Sequence, residues 1–169
     1  MKKENYNKIN KVINYIKDVL EVPRDEYNGM AACPFAKKER QNDNLYIDVI
    51  DEKNGFFELM DKFLKSNKDN AIFINEIDID NTDTRRYQVF LNKELKKKSL
   101  TTHKILCINP KDELSVEGFN VRSKSPYFLI LVNNLKEINQ AHKKLLETNY
   151  FDKMDSNYKK YLGAKWEYQ

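Results

Sequence analysis

The sequence predicts a single α/β domain, with an α+β arrangement as the alternative, in which helices pack on a sheet of about four strands. Apolar residues recur at helical spacing in four long segments, near residues 4–20, 56–65, 83–98 and 135–146. Between these segments lie short runs rich in β-branched and aromatic residues, at 45–50, 71–74, 103–108 and 127–132. Such alternation favours a layered domain, with the order α-α-β-α-β-α-β-β-α followed by a helical tail.

The length of 169 residues fits one domain, and the 40% hydrophobic content is enough for a folded core. We expect a core over about residues 28–150, preceded by the N-terminal helix 4–20. The tail 150–169 contains Tyr158, Tyr161 and Trp166. It is too aromatic for a free end, so we expect most of it to dock on the domain.

The first half of the chain has clear boundary signals. The N-terminal helix should end before Pro23, and Asn28-Gly29 marks a turn in the connection 21–31. A short helix should run from Pro34 to about Arg40, with the strand 45–50 after it. Asn54 is the expected cap of the helix that ends near residue 65.

The second half continues the alternation. Ile77 and Ile79 extend or follow the strand 71–74, and Thr82 or Asp83 is the expected cap of the next helix. The stretch 111–126 is predicted to be a loop. The run 127–132 is the most apolar of the chain, which predicts a central strand that is buried on both faces.

Charge and composition exclude several classes of protein. The net charge is only +4, and basic and acidic residues are interspersed, so nucleic-acid binding ranks last among the functions considered. The lysine-rich stretch 93–98 is better explained as the exposed end of a helix. No apolar run is long enough for a membrane helix, and no secretory signal is evident, so we expect a cytoplasmic protein. The sequence indicates no cofactor and no metal site.

Cys33 is the first candidate functional residue. It precedes Pro34, and Pro is favoured at the first position of a helix, so Cys33 is expected at the cap. A helix N-terminus stabilises an anion and lowers the pKa of a thiol, and Lys37 adds positive charge one turn on. The alternative is an inert cysteine before a helix. Cys33 is therefore a catalytic candidate, as a nucleophile or a redox thiol.

A second candidate segment leads into the most apolar strand. It combines a guanidinium with small hydrogen-bonding side chains, namely Asn120, Arg122, Ser123 and Ser125. Arginine binds carboxylate or phosphate through paired hydrogen bonds, and loops held by a rigid strand often carry sites. The alternative is a solvated basic turn.

These two segments resemble the motifs L-C-P-F-A and N-x-T-N-R-S-P-Y-P of a bacterial family of unknown function. Here they appear as Ala32-Cys33-Pro34-Phe35-Ala36 and as residues 119–127, with one extra residue in the second. The resemblance covers about residues 28–142 and implies that Cys33 and Arg122 belong to one site. Where the family has a histidine at a strand end, this chain has Asn109. If the family uses that histidine as a general base, this chain lacks it.

The leading functional hypothesis is a site for an anionic small molecule, with Cys33 at a helix start and Arg122, Ser123, Ser125, Asn120, Lys37 and Asn109 as ligand-binding residues. The first alternative is a non-enzymatic interaction module whose motifs are structural. The reaction, if there is one, and the oligomeric state are not determined by these patterns.

Overall fold

The computed structural model of the chain describes residues 3–111, 113–116, 119–122 and 125–153. In this part of the chain the α-helices are α1 (Lys3–Tyr15), α2 (Ala36–Gln41), α3 (Phe56–Leu64), α4 (Asn81–Lys97) and α5 (Leu135–Leu146). The strands are β1 (Pro23–Arg24), β2 (Met30–Ala31), β3 (Leu45–Val49), β4 (Asn70–Asn75), β5 (His103–Ile108), β6 (Glu113–Val116), β7 (Phe119–Arg122) and β8 (Phe128–Asn134).

The main sheet has four strands in the order β3-β4-β8-β5. β3 and β4 run parallel, whereas β8 is antiparallel to both of its neighbours. The predicted α/β domain is therefore confirmed, and so is the central position of β8. Apart from two small hairpins, the helices and strands follow the predicted order along the chain.

Both hairpins lie in stretches that the sequence analysis assigned to connections. β1 pairs with β2 around Asn28 and Gly29, whose φ angles of 53° and 80° are left-handed, and the amide of Gly29 donates to the carbonyl of Arg24 at 2.9 Å. β6 pairs with β7, so the prediction of a loop over 111–126 is wrong in part. Runs of four residues are too short to show strand periodicity, and backbone pairing between them decides their structure.

Several predicted boundaries are corrected as well. The first helix is α-helical only to Tyr15, and its last turn, Ile16–Leu20, is a π-helix. Asp80, rather than Thr82 or Asp83, caps α4, because its carboxylate accepts from the amide of Asp83 at 2.7 Å. Asn54 does not cap α3, which is preceded directly by Gly55.

One face of the main sheet, which we call the closed face, is covered by α3 and α4. Most of its residues on β4, β8 and β5 are buried and belong to a single apolar cluster, in which the most enclosed are Phe73, Phe128, Ile130, Val132 and Ile105. Phe63 of α3 and Leu91 of α4 pack into the same cluster. Alternation along each strand directs these side chains to one side of the sheet.

The opposite face, which we call the open face, is covered completely over only half of its width. Above β3 and β4, Val12 and Ile16 pack against Val49, Ile72 and Ile74, all of them buried. Above β8 and β5, Leu129 belongs to the same buried cluster, whereas the other open-face side chains are only half-buried: Leu131, Asn133, Leu106 and Ile108. This uncovered half of the open face forms the floor of the site described below.

Helix α4 also protects the edge of the sheet. Its Asn92 accepts from the amide of Ile105 at 3.0 Å and donates to the carbonyl of the same residue at 3.0 Å, and its Gln88 accepts from the amide of Cys107 at 2.9 Å. These side chains take the place of a neighbouring strand for β5. Because these backbone groups of β5 are already hydrogen-bonded, this edge strand does not offer them for pairing with another chain.

None of the described helices combines the length and the apolar character needed to cross a membrane.

Candidate functional site

A cleft of about 620 Å³ lies over the uncovered half of the open face. Leu106, Leu131 and Asn133 contribute from the sheet, and Ile16 and Leu20 contribute from the π-helical turn. The other walls include the segment 24–36, the helices α4 and α5, and Tyr150 and Phe151, which follow α5. Binding clefts for small molecules have volumes of about 300–1,000 Å³, so this cleft has the size of a ligand site.

The segment 24–36 is held in place at both of its ends. The amide of Cys33 donates to the carbonyl of Leu20 at 2.9 Å. Arg40 of α2 then forms two parallel hydrogen bonds, of 2.7 and 2.8 Å, with the carboxylate of Glu21, a geometry that fixes direction as well as distance. Cys33 is thereby attached to the end of the π-helical turn, beside the apolar floor of the cleft.

The structure corrects the expected chemistry of Cys33. The helix begins at Ala36 with Phe35 as its cap, and the amide of Ala36 donates to the carbonyl of Cys33 at 3.1 Å, so Cys33 lies in a turn before the helix. Burial raises the pKa of the thiol, and backbone N–H groups of Ala36 and Phe35 oppose this rise only in part. At neutral pH Cys33 is therefore a protonated thiol in the wall of the cleft, and the expected lowering of its pKa is wrong.

Helix α5 is amphipathic, and yet none of its twelve residues, all of which are described, is buried. Ile138, Ala141, His142 and Leu145 lie at helical spacing and line the cleft. An apolar helix face normally packs on its sheet, because burial of each large apolar side chain contributes about 1.5–3 kcal/mol. Here that face is separated from Leu131 and Leu106 by the cleft.

Both ends of α5 are nevertheless anchored. At its start, the side chain of Asn134 accepts from the amides of Lys136 and Glu137. Beyond its end, Tyr150 stacks on Tyr27 with ring centroids 5.2 Å apart, and Phe151 contacts Tyr150 edge to face at 4.9 Å. The docking of the whole tail stays a prediction, because residues 154–169 lie outside the described residues.

Asn70 joins the elements that meet at one rim of the cleft. Its side-chain oxygen accepts from the amide of Asn134 at 3.0 Å. Its side-chain nitrogen donates to Glu137 of α5 at 3.0 Å and to Glu39 of α2 at 3.3 Å. One amide therefore ties the end of β8 to the two helices that border the cleft, and it engages the two glutamates that line it.

Basic side chains outnumber acidic ones in the wall of the cleft. Four basic residues line it, namely Arg24, Lys38, Arg85 and Lys144, against the two glutamates Glu39 and Glu137, which are both hydrogen-bonded to Asn70. Within the described chain, the buried side-chain polar atoms that lack a hydrogen-bond partner are Arg24 Nε and Asn133 Nδ2. Both residues line the cleft, and both atoms are hydrogen-bond donors.

The predicted ligand-binding residues with described side chains lie elsewhere. Asn109 is only 2% exposed, and its amide nitrogen donates to Thr84 and to the carbonyl of Ile79, both at 2.8 Å, so it fixes the end of β5. Ser125 is buried and donates to the carbonyl of Tyr127 at 2.6 Å. Lys37 is exposed on α2. None of these three residues lines the cleft.

The proposed partnership of Cys33 with the Arg122 loop can be placed only in part. Arg122 and Asn120 are in β7, paired with Glu113 and Ser115, and only their backbone is described, while Ser123 lies outside the described residues. Ser125 precedes the first residue of β8, whereas α2, which follows Cys33, is bonded through Asn70 to the last residue of that strand. The shared site of Cys33 and Arg122 stays a prediction.

No protein-family profile, curated protein or solved structure matches the chain. The resemblance to the bacterial family of unknown function therefore also stays a prediction. No group of three or more His, Cys, Asp or Glu in the described part of the chain could hold a metal ion.

Sequence reasoning missed Arg24, Asn133 and the cleft-lining face of α5. Arg24 carried no motif, since it lies in a connection between Pro23 and the Asn28-Gly29 turn. Asn133 had a usable signal, because it is a polar residue directly after the most apolar run of the chain. The regular apolar spacing of α5 was recognised, but that pattern is the same whether the helix packs on a sheet or faces a ligand.

Proposed function

We propose that the protein binds an anionic small molecule in the cleft beneath α5. The observation that carries this proposal is the unburied apolar face of α5, which stands across the cleft from half-buried residues of the sheet. A bound molecule with apolar surface would remove both faces from water, which is favourable in proportion to the area covered. The excess of basic over acidic side chains in the wall supports a negatively charged ligand.

This proposal assigns binding rather than thiol catalysis to the cleft. A protonated Cys33 is a weak nucleophile, because the thiolate is the reactive species. Cys33 contributes a small, polarisable wall beside the apolar floor. The cytoplasmic location expected from the sequence belongs to the proposal, and it is supported by Cys33 and Cys107, which are both free thiols.

The competing interpretation as a pure interaction module required an exposed apolar patch without a polar-lined pocket. The cleft combines apolar walls with Arg24 and Asn133, which is the composition of a small-molecule site. We therefore favour ligand binding over that interpretation.

The test uses the fluorescent anion 8-anilinonaphthalene-1-sulfonate as the probe. Ala141→Phe places a large side chain in the cleft and should weaken probe binding by at least about tenfold. Asn139→Phe, on the exposed side of the same helix, is the matched control and should leave the affinity unchanged. Circular dichroism verifies that both variants are folded.

A second readout places the probe next to Cys33. Saturating probe should slow the alkylation of Cys33 by iodoacetamide in the wild-type protein, because the bound molecule covers the thiol. Equal probe affinity in Ala141→Phe and in the wild-type protein, together with unprotected Cys33, would overturn the proposal.

A further inference from the structure

The two unpartnered nitrogens of the cleft define the polar end of its ligand. A buried donor without an acceptor destabilises the folded state, and such groups are rare in folded proteins. Arg24 Nε and Asn133 Nδ2 are the two described side-chain atoms of this kind, and both belong to the wall of one cleft. Acceptor atoms brought by a ligand would satisfy these two donors.

The chemistry of these donors favours a carboxylate. A guanidinium presents its N–H groups as a planar fork that matches the two oxygens of a carboxylate. The nearest acidic partner of Arg24, Glu26, is 3.9 Å from Nη1, so this ion pair is too long for a hydrogen bond and leaves Nε unengaged. Asn133 adds a neutral donor from the sheet.

Both side chains can reach an incoming oxygen. The side chain of Arg24 is 32% exposed, so its guanidinium is not locked on all sides. The terminal torsion of an asparagine is broad, which lets Asn133 turn its amide nitrogen at little cost. A small rotation of each group therefore presents its donor to a ligand in the cleft.

The remainder of the wall fits an aliphatic chain. Leu106 and Leu131 of the sheet and Ile138 and Leu145 of α5 all line the cleft and supply its apolar surface. The two unpartnered donors, Arg24 Nε and Asn133 Nδ2, match in number the two oxygens of a carboxylate. A carboxylate head and an apolar body match one polar end and one apolar floor.

We propose that the cleft binds the anion of a medium-chain carboxylic acid, its carboxylate between Arg24 and Asn133 and its chain between α5 and the sheet. This assignment rests on the proposed function of the cleft. It goes further, because it names the class of ligand and the two residues that select the head group.

The test compares dodecanoate with dodecylammonium, which has the same chain and the opposite charge, by calorimetry below their micelle concentrations. Dodecanoate should bind at least about tenfold more tightly than dodecylammonium. Arg24→Gln should abolish this preference, whereas Arg86→Gln, at an arginine 79% exposed on α4, should preserve it.

Asn133→Asp is the second variant, and it keeps the test decisive if Arg24→Gln does not fold. It replaces the donor by a negatively charged acceptor of nearly the same shape and should weaken dodecanoate binding by about tenfold or more. Equal binding of the two amphiphiles, or full dodecanoate affinity in either variant, would overturn the assignment. If either of these results is obtained while the sulfonate probe still loses affinity in Ala141→Phe, the carboxylate assignment is overturned and the proposed function stands.

Discussion

The closed and open faces of the main sheet are built from alternate residues of the same strands, and yet they differ in how completely they are covered. Ile130 on the closed face is 0% exposed, packed under α3 and α4. Its neighbour Leu131 points to the open face and is only half-buried at the floor of the cleft. One strand thus contributes to a filled core on one side and to a cavity wall on the other.

Neighbouring residues of one strand therefore have different roles: one packs in the core that stabilises the fold, and the next lines the cleft. On the closed face, two helices leave no room and bury the side chains of every central strand. On the open face, α1 and the π-helical turn cover β3 and β4, while α5 is attached by its ends and spans the rest without filling it. We expect substitutions on the first face to change folding and substitutions on the second to change ligand affinity.

The largest expected effect is on the closed face. Ile130→Ala should lower the free energy of unfolding by about 2–5 kcal/mol, because it removes a fully buried side chain and leaves a cavity. Leu131→Ala, one residue on, should cost only about 1 kcal/mol, since part of its side chain already contacts water. Urea unfolding at constant pH measures both values, and equal losses would contradict the distinction between the faces.

The next effect concerns the protected edge of the sheet. Asn92→Ala leaves the amide and carbonyl of Ile105 without their side-chain partner and should destabilise the protein by about 1–3 kcal/mol. Hydrogen exchange of the Ile105 amide should become faster in this variant. Asn139→Ala, at an exposed asparagine of α5, is the control. Unchanged exchange at Ile105 would show that α4 does not protect the edge.

The two cysteines lie on different faces and should differ in their rates of alkylation. Cys107, on the closed face, is 5% exposed and should react with iodoacetamide only after unfolding. Cys33, half-buried in the cleft wall, should react in the folded protein, but more slowly at neutral pH than an ordinary thiol, because its pKa is raised. Its rate should keep rising with pH beyond the range in which a free thiol, with a pKa of about 8.5, has levelled off.

Mass spectrometry after timed alkylation locates the label on either cysteine. Native-state labelling of Cys107, or fast labelling of Cys33 at neutral pH, would contradict this comparison.

The smallest expected effect is on the pH dependence of stability, and it comes from the two histidines of the chain, one on each face of the sheet. Burial lowers the pKa of His103, which packs edge to face on Phe63, and of His142 in the cleft wall. Because each folded-state pKa lies below the unfolded value of about 6.5, the unfolded chain binds protons first on acidification. The contribution of the two neutral histidines to the free energy of unfolding is therefore fully present above the unfolded pKa. It is lost as the pH falls through the lower folded-state pKa values.

Replacing His103 and His142 by Gln should therefore flatten the dependence of the unfolding free energy on pH between about pH 7 and about pH 5. Urea unfolding at several pH values measures this dependence. An unchanged slope in the double variant would show that neither imidazole is kept neutral by burial.

Much of the architecture was determined by the sequence by itself. The apolar spacing of α5 and the apolar residues of β5 predicted these elements with the observed boundaries. Each pattern is local and runs over enough residues to show its periodicity. The continuous apolar run of β8 predicted its central place, which the strand order confirms, but the expected burial on both faces is wrong at Leu131, which is half-buried. The hairpin of β6 and β7 escaped prediction because pairing across the turn decides its structure.

Only the tertiary structure decided where the site is. Cys33 was chosen for a helix start, and packing placed it instead in a turn where burial raises its pKa. Asn109 was chosen for its place in a motif, and the fold fills its hydrogen bonds internally. Arg24 and Asn133 are more than a hundred residues apart in sequence and line one cleft, with donors that lack described partners. Such a site depends on how far α5 stands from the sheet, which the local pattern of side chains does not encode.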